Sequence, residues 1–169
     1  MNARFEHLLQ INDPLIPLLD ELSRAQLWRG LVLRSETPEQ FTLGLEGCTI
    51  EAREIAGGIT TLARTLDFGN FKVRDRVRLE PMDAVTIDVP AGATWPPMQL
   101  RIRIEEPQPR LLFLRFVYEW DEPASADPLD ATVRSLREQA YTQSDIDTVL
   151  KIRMLAERGA LDGAPMSLQ

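Results

Sequence analysis

From Leu45 to Trp120 the hydrophobic pattern repeats mostly every second residue, and nothing inside that stretch has the length and period of a crossover helix. Parallel strands need such crossovers, so the pattern argues against a Rossmann-type sheet and for consecutive antiparallel strands on short loops. The cleanest segment is Phe71 to Glu80. Phe71, Val73, Asp75, Val77 and Leu79 share one face, and Lys72, Arg74, Arg76, Arg78 and Glu80 share the other. Turn residues divide the stretch at Gly57-Gly58, Gly69-Asn70, Pro81-Met82-Asp83, the loop Pro90 to Pro97, and Pro107 to Pro109. The strands so bounded are Thr49 to Ile55, Ile59 to Phe68, Phe71 to Glu80, Ala84 to Val89, Met98 to Glu106 and Leu111 to Trp120. Phe5 to Ile11 alternates in the same way ahead of them.

Two regions change period. Ser23 with Gln26 three positions later has the form of a capping box, and Leu27, Leu31 and Arg34 follow on one side. Thr37-Pro38 predicts a second short helical turn as far as Phe41, capped by Thr37. After the polar loop Asp121 to Asp127, Pro128 opens a long helix that runs to about Arg158 and stops at Gly159. Leu129, Val133, Leu136 and Ala140 recur at helical spacing, and Ile146, Val149, Leu150, Ile152 and Leu155 continue the stripe after Thr142 to Asp145. Thr142 could restart the helix there with a bend. The expected organisation is one domain, 1–160, with a frayed tail at 161–169.

A chain of 169 residues with 44% hydrophobic and 27% charged residues can bury a core and stay soluble. Its net charge of -7 gives no global attraction to nucleic acid or anionic membrane. Arg74, Arg76 and Arg78, with Arg101 and Arg103 on a later strand, read as a solvated outer face. The single cysteine, Cys48, excludes an internal disulfide, and with one histidine, His7, it excludes a cysteine/histidine zinc site. A carboxylate-built metal site stays open; no metal site and no cofactor is expected. Neither a signal peptide nor a spanning apolar run is visible, so a cytoplasmic location is the expectation.

The elements combine into an α+β fold. A seven-stranded curved antiparallel sheet wraps around a long C-terminal helix, with two short helices between strands 1 and 2. Phe5-Glu6-His7 with Ile11-Asn12, Gln26 to Leu31, Asp67-Phe68-Gly69, Asp75-Arg76-Val77, Arg115 to Tyr118, and Asp145 to Thr148 leading to Ile152-Arg153 carry a resemblance. The chain resembles the START/Bet v 1-like superfamily of helix-grip proteins (SRPBCC, polyketide cyclase-like), and within it the AtaL-like branch. The resemblance implies a cavity between sheet and helix. Members of the superfamily hold lipids, sterols, hormones or aromatic polyketides there, some as enzymes and many as carriers.

Candidate site residues follow from the faces. His7 shares a face with Phe5, Leu9 and Ile11; it is either a general base or ligand partner, or a histidine packed against the C-terminal helix. Asp75 is a carboxylate on an apolar face and must be paired, hydrogen-bonded or protonated. It either acts on a ligand or forms a cross-strand ion pair with Arg64. Tyr118 shares a face with Leu112, Leu114, Phe116 and Trp120, as a ligand-orienting phenol or as core. His7, Asp75 and Tyr118 are thus the catalytic candidates, and His7, Arg64, Asp75, Trp95, Phe116 and Tyr118 the ligand-binding ones. Trp28 lies in a segment expected to border the cavity mouth, and Trp95, in a proline-rich loop, suggests a lid or a partner contact. Of Arg53 and Glu54, one points inward unless a bulge intervenes.

Three function classes remain. The first is a module binding a small hydrophobic or aromatic molecule. The second is a cofactor-free cyclase, aromatase or dehydratase that folds a reactive chain into one pose. The third is an interaction protein, which docks a partner or a second copy as a homodimer. No phosphate loop or serine-histidine-aspartate signature is present.

Overall fold

The computed structural model describes residues 1–124 and 126–163. Its elements are β1 (Ala3–Gln10), α1 (Arg24–Glu36), a 3-10 turn (Pro38–Gln40), β2 (Gly47–Ala56), β3 (Ile59–Asp67), β4 (Lys72–Glu80), β5 (Ala84–Val89), β6 (Met98–Gln108), β7 (Leu111–Trp120) and α2 (Pro128–Glu157). All strand pairs are antiparallel, in the order β1-β7-β6-β5-β4-β3-β2. Only β1 leaves sequence order, because α1 and the 3-10 turn carry the chain from one edge of the sheet to the other. The sheet curves around α2, as the alternation and the terminal helix predicted.

Period-two alternation sets the inner face. Val77 and Leu79 of β4, Val85 and Ile87 of β5, and Leu114 and Phe116 of β7 are buried, while Arg74, Arg76 and Arg78 are exposed. A bulge between Ile50 and Ala52 resolves β2: Arg53 pairs in register with the buried Leu62 and reaches Glu36 at the end of α1, Nη1 donating to Oε1 at 2.9 Å. The β3–β4 turn needs Gly69, whose φ is 89° and where a Cβ would meet the Glu46 carboxylate at 2.7 Å.

Helix α1 begins with the expected reciprocal cap. Gln26 N donates to Ser23 Oγ at 3.0 Å, and Ser23 N donates to Gln26 Oε1 at 2.9 Å. Trp28 is buried in the core. Gly30 permits α1 to lie directly on α2, since a Cβ there would fall 2.7 Å from Ile152 Cγ1.

Three local expectations are corrected. Thr37 makes no side-chain cap to the 3-10 turn; its hydroxyl donates back to the Leu33 carbonyl at 2.9 Å. Thr142 does not restart the helix; it donates to the Glu138 carbonyl at 2.9 Å within one continuous α2. The stripe from Leu129 to Ala140 does not cover the sheet, because Leu129, Val133 and Leu136 are exposed, and the core is met by Asp145, Thr148, Ile152 and Leu155. At the C-terminus Leu161 is fully buried and its carbonyl accepts from Arg29 Nη1 at 2.6 Å, and Asp162 Oδ1 accepts from Gln26 Nε2 at 3.0 Å; residues 164–169 of the expected tail lie outside the described residues. Among the described residues, no helix is long and apolar enough to cross a membrane.

Candidate functional site

Strand pairing places His7 opposite Phe116 and Phe5 opposite Tyr118. His7 and Tyr118 therefore project from neighbouring strands onto the face that α2 covers. Asp145 descends between them from α2. Tyr118 donates its hydroxyl hydrogen to Asp145 Oδ1 at 2.5 Å, and His7 Nδ1 lies 3.1 Å from Asp145 Oδ2. An ionised carboxylate can only accept, so the histidine ring then donates through Nδ1. Asp145 is fully buried, whereas the His7 side chain keeps 20% of its surface. Of the three groups, His7 offers the most accessible surface to a small molecule.

Burial dominates the electrostatics of this trio. It pushes the Asp145 carboxyl up to about 6, against the hydrogen bonds from Tyr118 and His7 that pull it down. It also holds the Tyr118 phenol well above its ordinary range, helped by the adjacent carboxylate. Tyr118 is fixed from behind by Tyr141, whose ring stacks on it with centroids 3.8 Å apart. Tyr141 in turn donates to Met98 Sδ at 3.2 Å.

Arg34 closes the other side. It continues the Leu27–Leu31 side of α1 and donates Nε to Thr148 Oγ1 on α2 at 3.2 Å. Burial draws its guanidinium below the ordinary value, with Tyr118, Asp145 and Asp75 acting in the opposite sense and Arg64 in the same sense. Its terminal nitrogens have no hydrogen-bond partner among the described residues. They are not among the sealed polar atoms lacking one, of which Arg29 Nε is the single case there. Arg34 is thus half-buried as a residue, with a guanidinium that burial desolvates.

Asp75 and Arg64 form the ion pair. Arg64 Nε donates to Oδ1 at 2.8 Å and Nη2 to Oδ2 at 2.6 Å, while Nη1 donates to the Ser35 carbonyl at 2.6 Å. Both side chains are almost fully buried. The fork-to-fork geometry uses both carboxylate oxygens and ties the β3–β4 hairpin to the last turn of α1. That arrangement suits a structural clamp better than an acid or base. Beside it, β4 and β5 pair only from Arg76 and Asp88 onward, leaving an open edge. A cleft of about 760 Å³ follows that edge, touching Arg64, Asp75, Val89 and Met98.

Two further candidates take other roles: Phe116 lies opposite His7 as core, and Trp95 lies apart in its loop. Phe116 is fully packed in the core. Trp95 is half-buried, folds over Gly92 and donates Nε1 to the Pro90 carbonyl at 3.2 Å, so its loop holds itself closed. Cys48 is half-buried on β2, and burial raises its thiol pKa, which disfavours a nucleophile. Among the described residues, no cluster of three or more histidine, cysteine or acidic side chains could hold a metal ion.

Sequence reasoning missed Asp145 and Arg34 as site residues. A signal existed: Asp145 and Thr148 precede Ile152 and Leu155 at spacings of three, four and three, polar residues on a core-facing stripe.

A curved antiparallel sheet gripping a terminal helix, with polar groups buried between them, defines the START/Bet v 1-like (SRPBCC) class. The chain belongs to the AtaL family (acetylaranotin biosynthesis cluster protein L), whose model matches residues 9–159. Comparison with curated proteins returns no match. Among solved structures the chain is similar to the di-domain ARO/CYC StfQ of the steffimycin biosynthetic pathway, at TM-score 0.65 and 12% identity over 93% of this chain. It spans about half of StfQ, 51% of that chain. It is also similar to the Zhui aromatase/cyclase of Streptomyces sp. R1128, at TM-score 0.59 and 16% identity, covering 94% of this chain and 95% of that one. Ara h 8.0201 gives TM-score 0.58 at 9% identity, covering 92% and 98%. At such identities these structures share the fold alone.

Proposed function

We propose that the chain binds a small hydrophobic or aromatic molecule between the sheet and α2, with an acidic oxygen of that molecule at Arg34. The observation that carries this reading is the Arg34 guanidinium, desolvated yet without a carboxylate partner among the described residues. A half-buried, desolvated cation is stabilised when an anion or a further hydrogen-bond acceptor meets it. His7 would contact the same end of the ligand through its accessible edge, while Tyr118 and Asp145 hold His7 in place. The open β4 edge beside Arg64 and Asp75 would serve as the entrance. The aromatase and cyclase activities named for StfQ and Zhui belong to those proteins.

A second reading is a cofactor-free cyclase, aromatase or dehydratase. It is favoured by one observation, a carboxyl held near pKa 6 and linked to a partly accessible histidine. Such a pair can take a proton from an activated carbon and return it.

Native mass spectrometry of the purified protein, followed by denaturing extraction, tests for a co-purified molecule. Titration with an anilinonaphthalene sulfonate probe, which joins an aromatic body to an anionic end, tests the proposed polarity. Replacing Arg34 with Leu is expected to weaken probe binding by about 10- to 100-fold. Unchanged affinity in a folded Arg34→Leu protein would sink the proposal.

A further inference from the structure

The outer ridge of α2 carries a pattern that the interior does not use. Leu129, Val133, Leu136 and Ala140 are spaced by four, three and four residues. The same line continues past Gln143 and Asp147 to Leu150 and Met154 without breaking the alternation of three and four. This is the spacing of the a and d positions of a coiled coil. Every residue on it is exposed, the large apolar ones by 44% to 64%. The core is reached from the opposite side of the helix, through Asp145, Thr148, Ile152 and Leu155. A repeat of 3.5 residues sustained over about 40 Å of helix is unneeded for packing on a sheet; it is the repeat that keeps one seam facing another helix.

We propose that this ridge is a homodimer interface, in which α2 pairs with α2 of a second copy in antiparallel orientation. Charge selects both the occupant and the direction. Antiparallel pairing sets Asp130 beside Lys151 of the second copy, and symmetry repeats the pair. Neither side chain forms an ion pair among the described residues. The same register packs Leu129 on Met154 and Val133 on Leu150, and sets each Asp147 beside Leu136 of the other copy, apart from its own symmetry mate. Parallel pairing would instead face Asp147 with its own copy, two like charges in the seam. Near the two-fold axis the seam is small and polar, at Ala140 and Gln143, so the dimer forms and dissociates with concentration.

Sedimentation of the full chain over about a hundredfold range of concentration tests this, since a reversible dimer shows mass rising from monomer to dimer. Leu136→Glu, and independently Leu150→Lys, are expected to abolish the rise while the circular dichroism spectrum is kept. Asp130→Lys or Lys151→Asp alone is expected to raise the dissociation constant by about 3- to 10-fold, and the double exchange to restore it. A wild-type chain that stays monomeric overturns the proposal, as does a dimer indifferent to both ridge variants. A double exchange that fails to restore association overturns the antiparallel geometry. A monomer that co-sediments with phosphatidylcholine vesicles through the ridge overturns it too, making the ridge a lipid-facing surface.

Discussion

Tyr118 and Asp145 meet oxygen to oxygen at 2.5 Å, one from β7 and the other from α2, with both side chains buried. The phenol supplies a hydrogen bond that the carboxylate would otherwise draw from water. His7 supplies the second. Two donors are not enough to offset burial, so the carboxyl still binds its proton more tightly than an exposed one. The site therefore contains a group whose charge changes near pH 6, beside a histidine whose side chain keeps 20% of its surface.

This gives a signed pH dependence. The folded pKa of Asp145 is raised from 3.8 to about 6, so the native state holds the proton more tightly than the unfolded chain. Its contribution is full below about pH 4 and is lost as pH rises through about 6, amounting to about 3 kcal/mol. Urea denaturation at a series of pH values should show wild type gaining on Asp145→Asn as pH falls across that window. A constant difference between the two proteins would contradict the raised value.

Tyr118→Phe removes one donor and leaves Asp145 under-satisfied. The expected cost is about 1–3 kcal/mol, measured by chemical denaturation at neutral pH. Because that hydrogen bond lowers the Asp145 pKa, the carboxyl carbon resonance of Asp145 should titrate at higher pH in the variant. Movement in the other direction would show that Tyr118 does not act on the carboxylate.

Arg64 and Asp75 respond differently to single and double substitution. Asp75→Ala strands a buried guanidinium and should cost about 3–5 kcal/mol. Arg64→Met with Asp75→Leu removes both charges, and the double variant should be more stable than Asp75→Ala alone. Equal stability of the two variants would show that the ion pair is not what the site needs.

Gly30→Ala tests the contact between the helices. The new Cβ would sit 2.7 Å from Ile152 Cγ1 and 2.9 Å from Cγ2, so α1 must move or Ile152 must change rotamer. The expected loss is about 1–3 kcal/mol, read from thermal or chemical denaturation. Ile152→Ala should cost less in the Gly30→Ala background than in the wild type, since the clash is with that side chain.

Local chemistry determined much of this molecule. The alternation from Phe71 to Glu80 set an inner and an outer face, and the Gly69-Asn70 turn put Arg64 opposite Asp75. Ser23 and Gln26 fixed where α1 starts. These features are legible because strand faces, turns and caps depend on residues a few positions apart. Tertiary structure decided the rest. His7 and Asp145 are separated by 138 residues, and their meeting depends on how α2 lies across the sheet. That placement is set by close contacts such as Gly30 on Ile152, which no periodicity announces. The same rotation turned Leu129 and Leu136 outward and Asp145 inward. A helix with apolar residues on two sides does not declare from its sequence which side the core takes, because only packing against the other elements breaks that tie.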